Sequence, residues 1–176
     1  MLFAFIHVLI FISCSDNSDD LKKGLITNNN YPRNNWTLIK RYKFQNINKN
    51  DTIQWVNIAN PNLNNINKSN LIIINSTSIK IHFDYPLNVT VTYNIESKSG
   101  FSRLDIIKII NEKYQLIYKE EGNRTITIGG HTAERFSNVK TKYGICCHDI
   151  KDLDLSAIVV YKDKSECINV ILEIES

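Results

Sequence analysis

The sequence predicts an all-β fold, a single antiparallel β-sandwich with about ten short strands. Three observations support this fold class. Apolar and polar residues alternate with a period of two in several short segments, and these segments are rich in Ile, Val and aromatic residues. Turn-forming Asn, Asp and Gly separate the segments at a spacing of about 8–12 residues. No long helix or β–α alternation is predicted, and both immunoglobulin-like and jelly-roll-like arrangements fit.

Size and charge limit the classes of protein to consider. The chain has 176 residues, of which 43% are hydrophobic and 22% charged, which is typical of one globular domain. Its formal charge of +3 is small, and basic and acidic residues are interspersed along the chain. The charge therefore argues against a nucleic-acid partner.

The first residues form an apolar run that ends abruptly. Residues 1–12 are almost entirely apolar, Ser13-Cys14 follows, and residues 15–20 read Ser-Asp-Asn-Ser-Asp-Asp. A helix that crosses a bilayer needs about 20 apolar residues, so this run is too short to span one. Its length and its small residue at the boundary are typical of a secretory signal peptide.

The residues Phe11-Ile12-Ser13-Cys14 resemble a bacterial lipobox, and residues 15–20 resemble the Ser/Asp-rich tether of Bacteroidetes lipoproteins. The resemblance implies that residues 1–13 are a signal peptide. It also implies that Cys14 carries a diacylglycerol and a further acyl chain such as palmitate. The expected location is the cell envelope, anchored by lipid to the outer membrane.

The Asn content suggests an alternative location for the protein. Asn-x-Ser/Thr triplets begin at Asn35, Asn50, Asn67, Asn75, Asn88 and Asn123. In a secreted glycoprotein of a eukaryote or virus these residues would be glycan acceptors. In an Asn-rich bacterial chain they arise by chance.

The sequence after Cys14 divides into two parts. Residues 14–35 are mostly polar and are expected to be a flexible tether. Residues 36–176 are expected to form the sandwich domain, with order beginning near Trp36. The first strands predicted in this domain are Trp36–Phe44, Thr52–Ile58 and Leu71–Ile74.

The clearest alternation lies on both sides of Pro86. Ile79–Tyr85 and Leu87–Ile95 each alternate apolar with polar residues, which predicts two strands joined by a turn. His82 falls at a polar position of the first strand, so we expect its side chain to be solvated.

Residues 102–119 fit two structures. Leu104, Ile107, Ile110 and Tyr114 would share a helix face, whereas the Ile content and Asn111-Glu112-Lys113 favour a hairpin. We predict the hairpin. Further strands are expected at Thr125–Ile128, Val139–Ile145, Leu153–Tyr161 and Cys167–Ile174, the last two forming a hairpin.

The segment Cys146-Cys147-His148-Asp149 offers two kinds of chemistry. In an oxidising compartment, Cys167 would form a disulfide with Cys147 or with Cys146. Alternatively, Cys146 and His148, which share a face of an extended chain, would ligate a metal ion together with more distant residues.

The remaining signals favour binding over catalysis. No hydrolase, metalloprotease, phosphate-loop or dinucleotide motif occurs, and no cofactor is predicted. Trp36 and Trp55 are candidates for stacking on sugar rings, as in a carbohydrate-binding module of a surface polysaccharide system. The expected function is therefore a binding or structural module whose partners are the membrane and a glycan or an envelope protein.

Overall fold

A computed structural model describes residues 24–28, 35–47, 53–122, 127–128, 131–132, 142–145 and 148–176. These residues are mostly β-structure with one α-helix, α1 (Arg103–Glu121), and two short 3-10 helices, Leu63–Asn65 and Ile150–Asp152. The described strands are β1 (Leu25–Asn28), β2 (Thr37–Lys43), β3 (Asn46–Ile47), β4 (Ile53–Gln54), β5 (Val56–Asn57), β6 (Ile72–Ile74), β7 (Ser78–Phe83), β8 (Val89–Glu96), β9 (Phe101–Ser102), β10 (Thr127–Ile128), β11 (His131–Thr132), β12 (Asp154–Lys162) and β13 (Ile168–Glu175).

Seven strands form the main sheet, in the order β1-β8-β7-β13-β12-β2, with β5 also pairing with β12. The pairs β3–β4, β6–β9 and β10–β11 are separate two-stranded ladders. Of the predicted all-β fold, the predominance of β-structure is confirmed, whereas the expectation of no long helix is wrong because α1 has 19 residues. The predicted purely antiparallel pairing is wrong for β13 and β7, which run parallel. Parallel neighbours need a long crossover connection, and α1 lies in the connection between these two strands.

The last predicted hairpin is confirmed. β12 and β13 pair antiparallel, and a turn that follows Lys162 joins them. The strands predicted on both sides of Pro86 are confirmed as β7 and β8, which also pair antiparallel. In these segments the alternation along the sequence predicts the strands, because one face of each strand is buried.

The hairpin predicted at Arg103–Ile110 and Tyr114–Lys119 is wrong, since these residues form α1. Ser102 caps the helix: its Oγ accepts a hydrogen bond from the Asp105 backbone N–H at 3.2 Å, and the Asp105 carboxylate accepts one from the Ser102 N–H at 2.9 Å. This reciprocal capping box satisfies two amides that would otherwise lack partners. Together with burial of one helix face, it outweighs the weak β-preference of isoleucine.

Helix α1 covers one face of the main sheet. The rings of Phe83 and Tyr114 meet edge to face at 5.0 Å, and Phe83 meets Tyr93 in the same way at 5.5 Å. The buried helix positions recur at the spacing of one helix face: Ile106, Ile107, Ile110, Tyr114, Ile117 and Glu121. The hydrophobic core therefore lies between this face of α1 and the sheet.

Ordered structure begins before Trp36. Residues 25–28, which we expected in the tether, form β1 and pair with β8. Gly24 precedes them in a tight position, where an added Cβ would lie 2.3 Å from Val91 Cγ1 and 2.8 Å from Tyr93 Cζ. The absence of a side chain at Gly24 thus allows the chain to pass close to the sheet edge.

Ser102→Ala should lower the free energy of unfolding by about 1 kcal/mol, because the Asp105 amide loses its capping acceptor. Urea unfolding followed by circular dichroism measures the change. Ser99→Ala, in the exposed turn before the helix, is the control and should leave the midpoint unchanged. Equal midpoints for the two variants would contradict the capping role.

Candidate functional site

The alternation along β7 places His82 on the face of the sheet opposite α1, which we call the second face. Ile81 and Phe83 point towards the helix, so His82 between them points away from it. The expectation that His82 is solvated is wrong, because its side chain is only 4% exposed. A buried imidazole requires hydrogen-bond partners, and the neighbouring strands supply them.

Both ring nitrogens of His82 are engaged. Nε2 lies 2.9 Å from Asn169 Oδ1, and Nδ1 lies 2.8 Å from Thr92 Oγ1. The Asn169 amide group donates to Asp163 Oδ2 and to the Cys167 carbonyl, each at 3.1 Å, which identifies its other atom as the acceptor oxygen. Because an amide oxygen only accepts, His82 Nε2–H donates to Asn169 Oδ1, and Nδ1 forms the hydrogen bond with Thr92 Oγ1.

Asp163 extends this network into the turn between β12 and β13. Its Oδ1 accepts hydrogen bonds from the backbone N–H of Ser165 at 2.8 Å and of Cys167 at 3.1 Å. The side chains of Thr92, His82, Asn169 and Asp163 form a continuous chain of hydrogen bonds across three strands and this turn. With both nitrogens in use, His82 is suited to holding strands together rather than to ligating a metal or transferring a proton.

Aromatic rings lie beside this network. The Trp36 ring is centred 5.4 Å from the His82 ring and 5.9 Å from the Tyr161 ring, tilted by 38° and 48°. Trp36 and Tyr161 are half-buried, so part of each ring remains accessible. We call Trp36, His82 and Tyr161 the aromatic cluster; its accessible part can stack on a planar or apolar ligand surface.

Trp55 belongs to a different part of the surface. It lies between β4 and β5 and is 42% exposed. Val56 pairs with Leu155 at one end of β12, whereas Thr37 pairs with Lys162 at the other end. These ends are roughly 20 Å apart at the usual rise per residue of a strand. Trp36 and Trp55 thus do not form one continuous strip, and each would be a separate stacking position.

The second face also carries an ion pair. Arg41 Nε donates to the Glu173 carboxylate at 2.8 and 3.0 Å. This hydrogen bond holds the pKa of Glu173 below its usual value. Any stability from the pair is therefore present at neutral pH and is lost as the pH falls through that lowered pKa. Both side chains are about one-third or more exposed, so solvent screening keeps the contribution small.

His148, a predicted metal ligand, lies in a second polar cluster. Its Nε2 is 3.0 Å from the Tyr85 hydroxyl, which is also 2.7 Å from Ser176 Oγ. The Tyr118 hydroxyl donates to the His148 carbonyl at 3.2 Å. The described residues include no group of three or more His, Cys, Asp or Glu side chains that could hold a metal ion. Cys146, the other predicted ligand, lies outside the described residues, so the metal site stays a prediction.

The predicted disulfide lies partly outside the described residues, because Cys146 and Cys147 are not among them. Cys167 is described: it is 6% exposed, and its Sγ lies 3.7 Å from the Ser165 carbonyl oxygen. Pairing of Cys167 with Cys147 or Cys146 remains a prediction. Cys14, the predicted lipid-attachment residue, lies outside the described residues as well.

Glu121 holds the segment that leads to the two adjacent cysteines. Its carboxylate, buried at the end of α1, accepts hydrogen bonds from the backbone N–H of Tyr143 at 2.8 Å and of Ile145 at 3.0 Å. These residues, expected in a strand at Val139–Ile145, are not in a strand; instead the helix positions them through Glu121. Sequence reasoning missed this role because a glutamate near a helix end usually faces solvent.

Comparison with models of protein families, with curated proteins and with solved structures finds no match to this chain. Among the described residues, no helix is long and apolar enough to cross a membrane.

Asn169→Ala should destabilise the fold by roughly 1–3 kcal/mol, because it leaves the buried His82 Nε2–H without its acceptor. Thermal or urea unfolding measures the loss. Asn94→Ala is a matched control, since Asn94 is a half-buried asparagine on the second face of the same sheet. If both variants lose the same stability, the network is not what holds these strands together.

Proposed function

We propose that this chain is a lipid-anchored lipoprotein of a bacterial envelope, whose β-rich domain is a binding or structural module. The observation that carries the proposal is the transition from an apolar run to Ser13-Cys14 and then to an acidic polar segment. Lipidation at Cys14 would anchor the domain stably, because two or more acyl chains are needed for lasting attachment.

The described domain is compatible with this role. Gly24, where the described structure begins, is only ten residues beyond Cys14, a suitable length for a tether. The hydrogen bonds of His82 serve strand pairing, and His148 contacts the Tyr85 hydroxyl. These contacts favour a module that presents a surface over one that performs a reaction.

We further propose that the domain is a two-sheet sandwich. Buried side chains on the second face support a further layer there: Thr90 is 1%, Ala157 0% and Ile171 7% exposed, and all three point away from α1. On the helix side, Ile73 and Phe101 of the β6–β9 ladder region belong to the same core as the main sheet. A sheet with both faces buried requires cover on both sides.

A carbohydrate-binding module is the second candidate. It is favoured by the exposure of Trp55 and by the partly accessible rings of the aromatic cluster. Aromatic rings present large apolar faces at little cost in conformational entropy, which suits stacking on sugars.

Cys14→Ala should shift the protein from the membrane fraction to the soluble fraction and remove the lipid mass from its mature N-terminus. Fractionation and intact-protein mass spectrometry in a bacterial expression host measure both effects. Ser15→Ala, the neighbouring substitution, should remain lipidated and membrane-bound.

Two results would contradict the lipoprotein. One is a Cys14→Ala variant that stays membrane-bound with an unchanged mass. The other is a protein from its native source whose excess mass is removed by a glycosidase, which would favour the secreted glycoprotein. Asn67, Asn75 and Asn88 are exposed and would be available in that case.

If the second candidate is correct, Trp55→Ala should weaken retention on immobilised starch, xylan or laminarin by roughly two- to tenfold, the range expected for loss of one stacking contact. Affinity electrophoresis measures retention. Trp55→Tyr keeps an aromatic ring and should retain most of the binding. Retention of the wild type on none of these polysaccharides, or equal retention of all three proteins, would oppose this candidate.

A further inference from the structure

The strand β2 forms one edge of the main sheet and is exposed to solvent. It pairs with β12 on one side, and the side chains of Thr37–Arg41 and Lys43 are exposed. From Lys40 to Lys43 the pairing is regular, because the β-bulge lies earlier, at Ile39. An edge strand presents backbone hydrogen-bonding groups that its own sheet does not use, so a further strand can be added there.

The backbone groups of Arg41 and Lys43 point away from β12. The Phe44 N–H donates to the Ser156 carbonyl of β12 at 2.8 Å, and the direction of these groups alternates along a strand. In agreement, the Lys43 carbonyl accepts a hydrogen bond from Arg103 Nη1 at 2.8 Å. Arg103, the first residue of α1, therefore lies at the end of this edge. The N–H and C=O of Arg41 are the groups that an added strand would pair with.

On the side of β2 that faces α1, two cations lie over two aromatic rings. Lys40, Tyr42 and Phe44 occupy alternate positions along the chain. Lys40 Nζ is 5.2 Å from the centre of the Tyr42 ring, and Arg103 Cζ is 5.2 Å from the centre of the Phe44 ring. Alternate positions of a strand are about 7 Å apart, so the two cations match side chains at alternate positions of a neighbouring strand.

Neither of these cations forms an ion pair within the described part of the chain. Among the described residues, Arg103 Nε is a buried donor without a hydrogen-bond partner, which is a costly state. Burial lowers the pKa of Arg103, because desolvation disfavours its charged form. Asp105, on the same turn of α1, is engaged by the N–H and Oγ of Ser102. A carboxylate from outside would complete this site.

Neither the other side of β2 nor the other edge of the sheet has this arrangement. On the second face, Arg41 pairs with Glu173, and Lys43 lies near the same carboxylate. At the opposite edge, β1 exposes Leu25 and Ile26 but has no charged residue. Apolar exposure is thus common to both edges, whereas the pair of cations over rings belongs to β2.

We propose that the β2 edge binds an extended peptide segment with acidic residues at alternate positions. The segment adds as a strand beside Lys40–Lys43 and places one carboxylate at Lys40 and the other at Arg103. Opposite charges at cross-strand positions are stabilising, whereas like charges are destabilising, so pairing of β2 with β2 of a second copy is disfavoured. The inference deepens the proposed binding role and rests on it, but it does not depend on lipidation at Cys14.

The test measures peptide binding to the full-length mature protein in a non-ionic detergent, by fluorescence anisotropy. The probe is a short labelled peptide in which Glu alternates with Val. Its affinity should be about tenfold or more above that of the same peptide with Gln in place of Glu, because both carboxylates meet cations. Methylation of the peptide's backbone nitrogens should abolish binding, since an added strand needs these donors. High salt should weaken binding.

Lys40→Gln should weaken binding of the Glu peptide about two- to fivefold, the range of an exposed ion pair. Lys98→Gln is the matched control, because Lys98 is an exposed lysine in the turn before β9. Arg103→Gln should weaken binding about tenfold, and Arg103→Lys should restore part of the affinity, because it keeps the charge but not the planar fork. Unfolding midpoints check that each variant is folded.

Equal affinity for the Glu and Gln peptides, or binding of neither, would overturn the proposal. Undiminished binding of the methylated peptide, or an equal loss in Lys98→Gln and Lys40→Gln, would overturn it as well. Self-association of the free protein through β2, detected by sedimentation and unaffected by the Glu peptide, would assign the edge to a second copy. Each of these results leaves the lipid at Cys14 and the role of Trp55 in place, because mass spectrometry and polysaccharide retention test those separately.

Discussion

The packing of α1 against the main sheet is the constraint on which the rest of the described structure depends. Tyr114 on the helix meets Phe83 on β7, and Phe83 in turn meets Tyr93 on β8. The Tyr114 hydroxyl also donates to the Tyr85 carbonyl at 2.6 Å, which ties the helix to the chain just beyond β7. α1 also lies in the part of the chain that connects β7 to its parallel neighbour β13.

The helix also positions chain segments that have no regular structure of their own. Asn111 donates to the carbonyls of Ile58 and Ala59, at 2.6 and 3.2 Å. Near the other end, Glu121 holds the backbone amides of Tyr143 and Ile145. The polar residues of α1 therefore fix the loops around the core, while its apolar residues form the core. The segment that leads to Cys146 and Cys147 depends on the last turn of α1.

The second face is organised differently, because a network of polar side chains lies beside its buried apolar residues. Thr92, His82, Asn169 and Asp163 link β8, β7, β13 and the turn after β12 through side-chain hydrogen bonds. Buried polar groups are stable only when each has a partner, so the network specifies this strand order as well as stabilising it. Trp36 packs beside His82, where the chain enters β2. A ligand at the aromatic cluster would therefore contact side chains that this network holds in place.

The sequence by itself determined the β-rich class, the strands β7, β8, β12 and β13, and the apolar run that ends at Cys14. These features are local, because alternation and apolar length are visible within about ten residues. Only the tertiary structure decided between the helix and the hairpin for residues 103–121, since burial of one helix face against the sheet outweighs a weak β-propensity. The capping box that begins the helix is itself local, because Ser102 and Asp105 are three residues apart. The tertiary structure also decided that His82 is buried and that β1 belongs to the sheet. Both depend on partners from strands distant in sequence, which no local pattern contains.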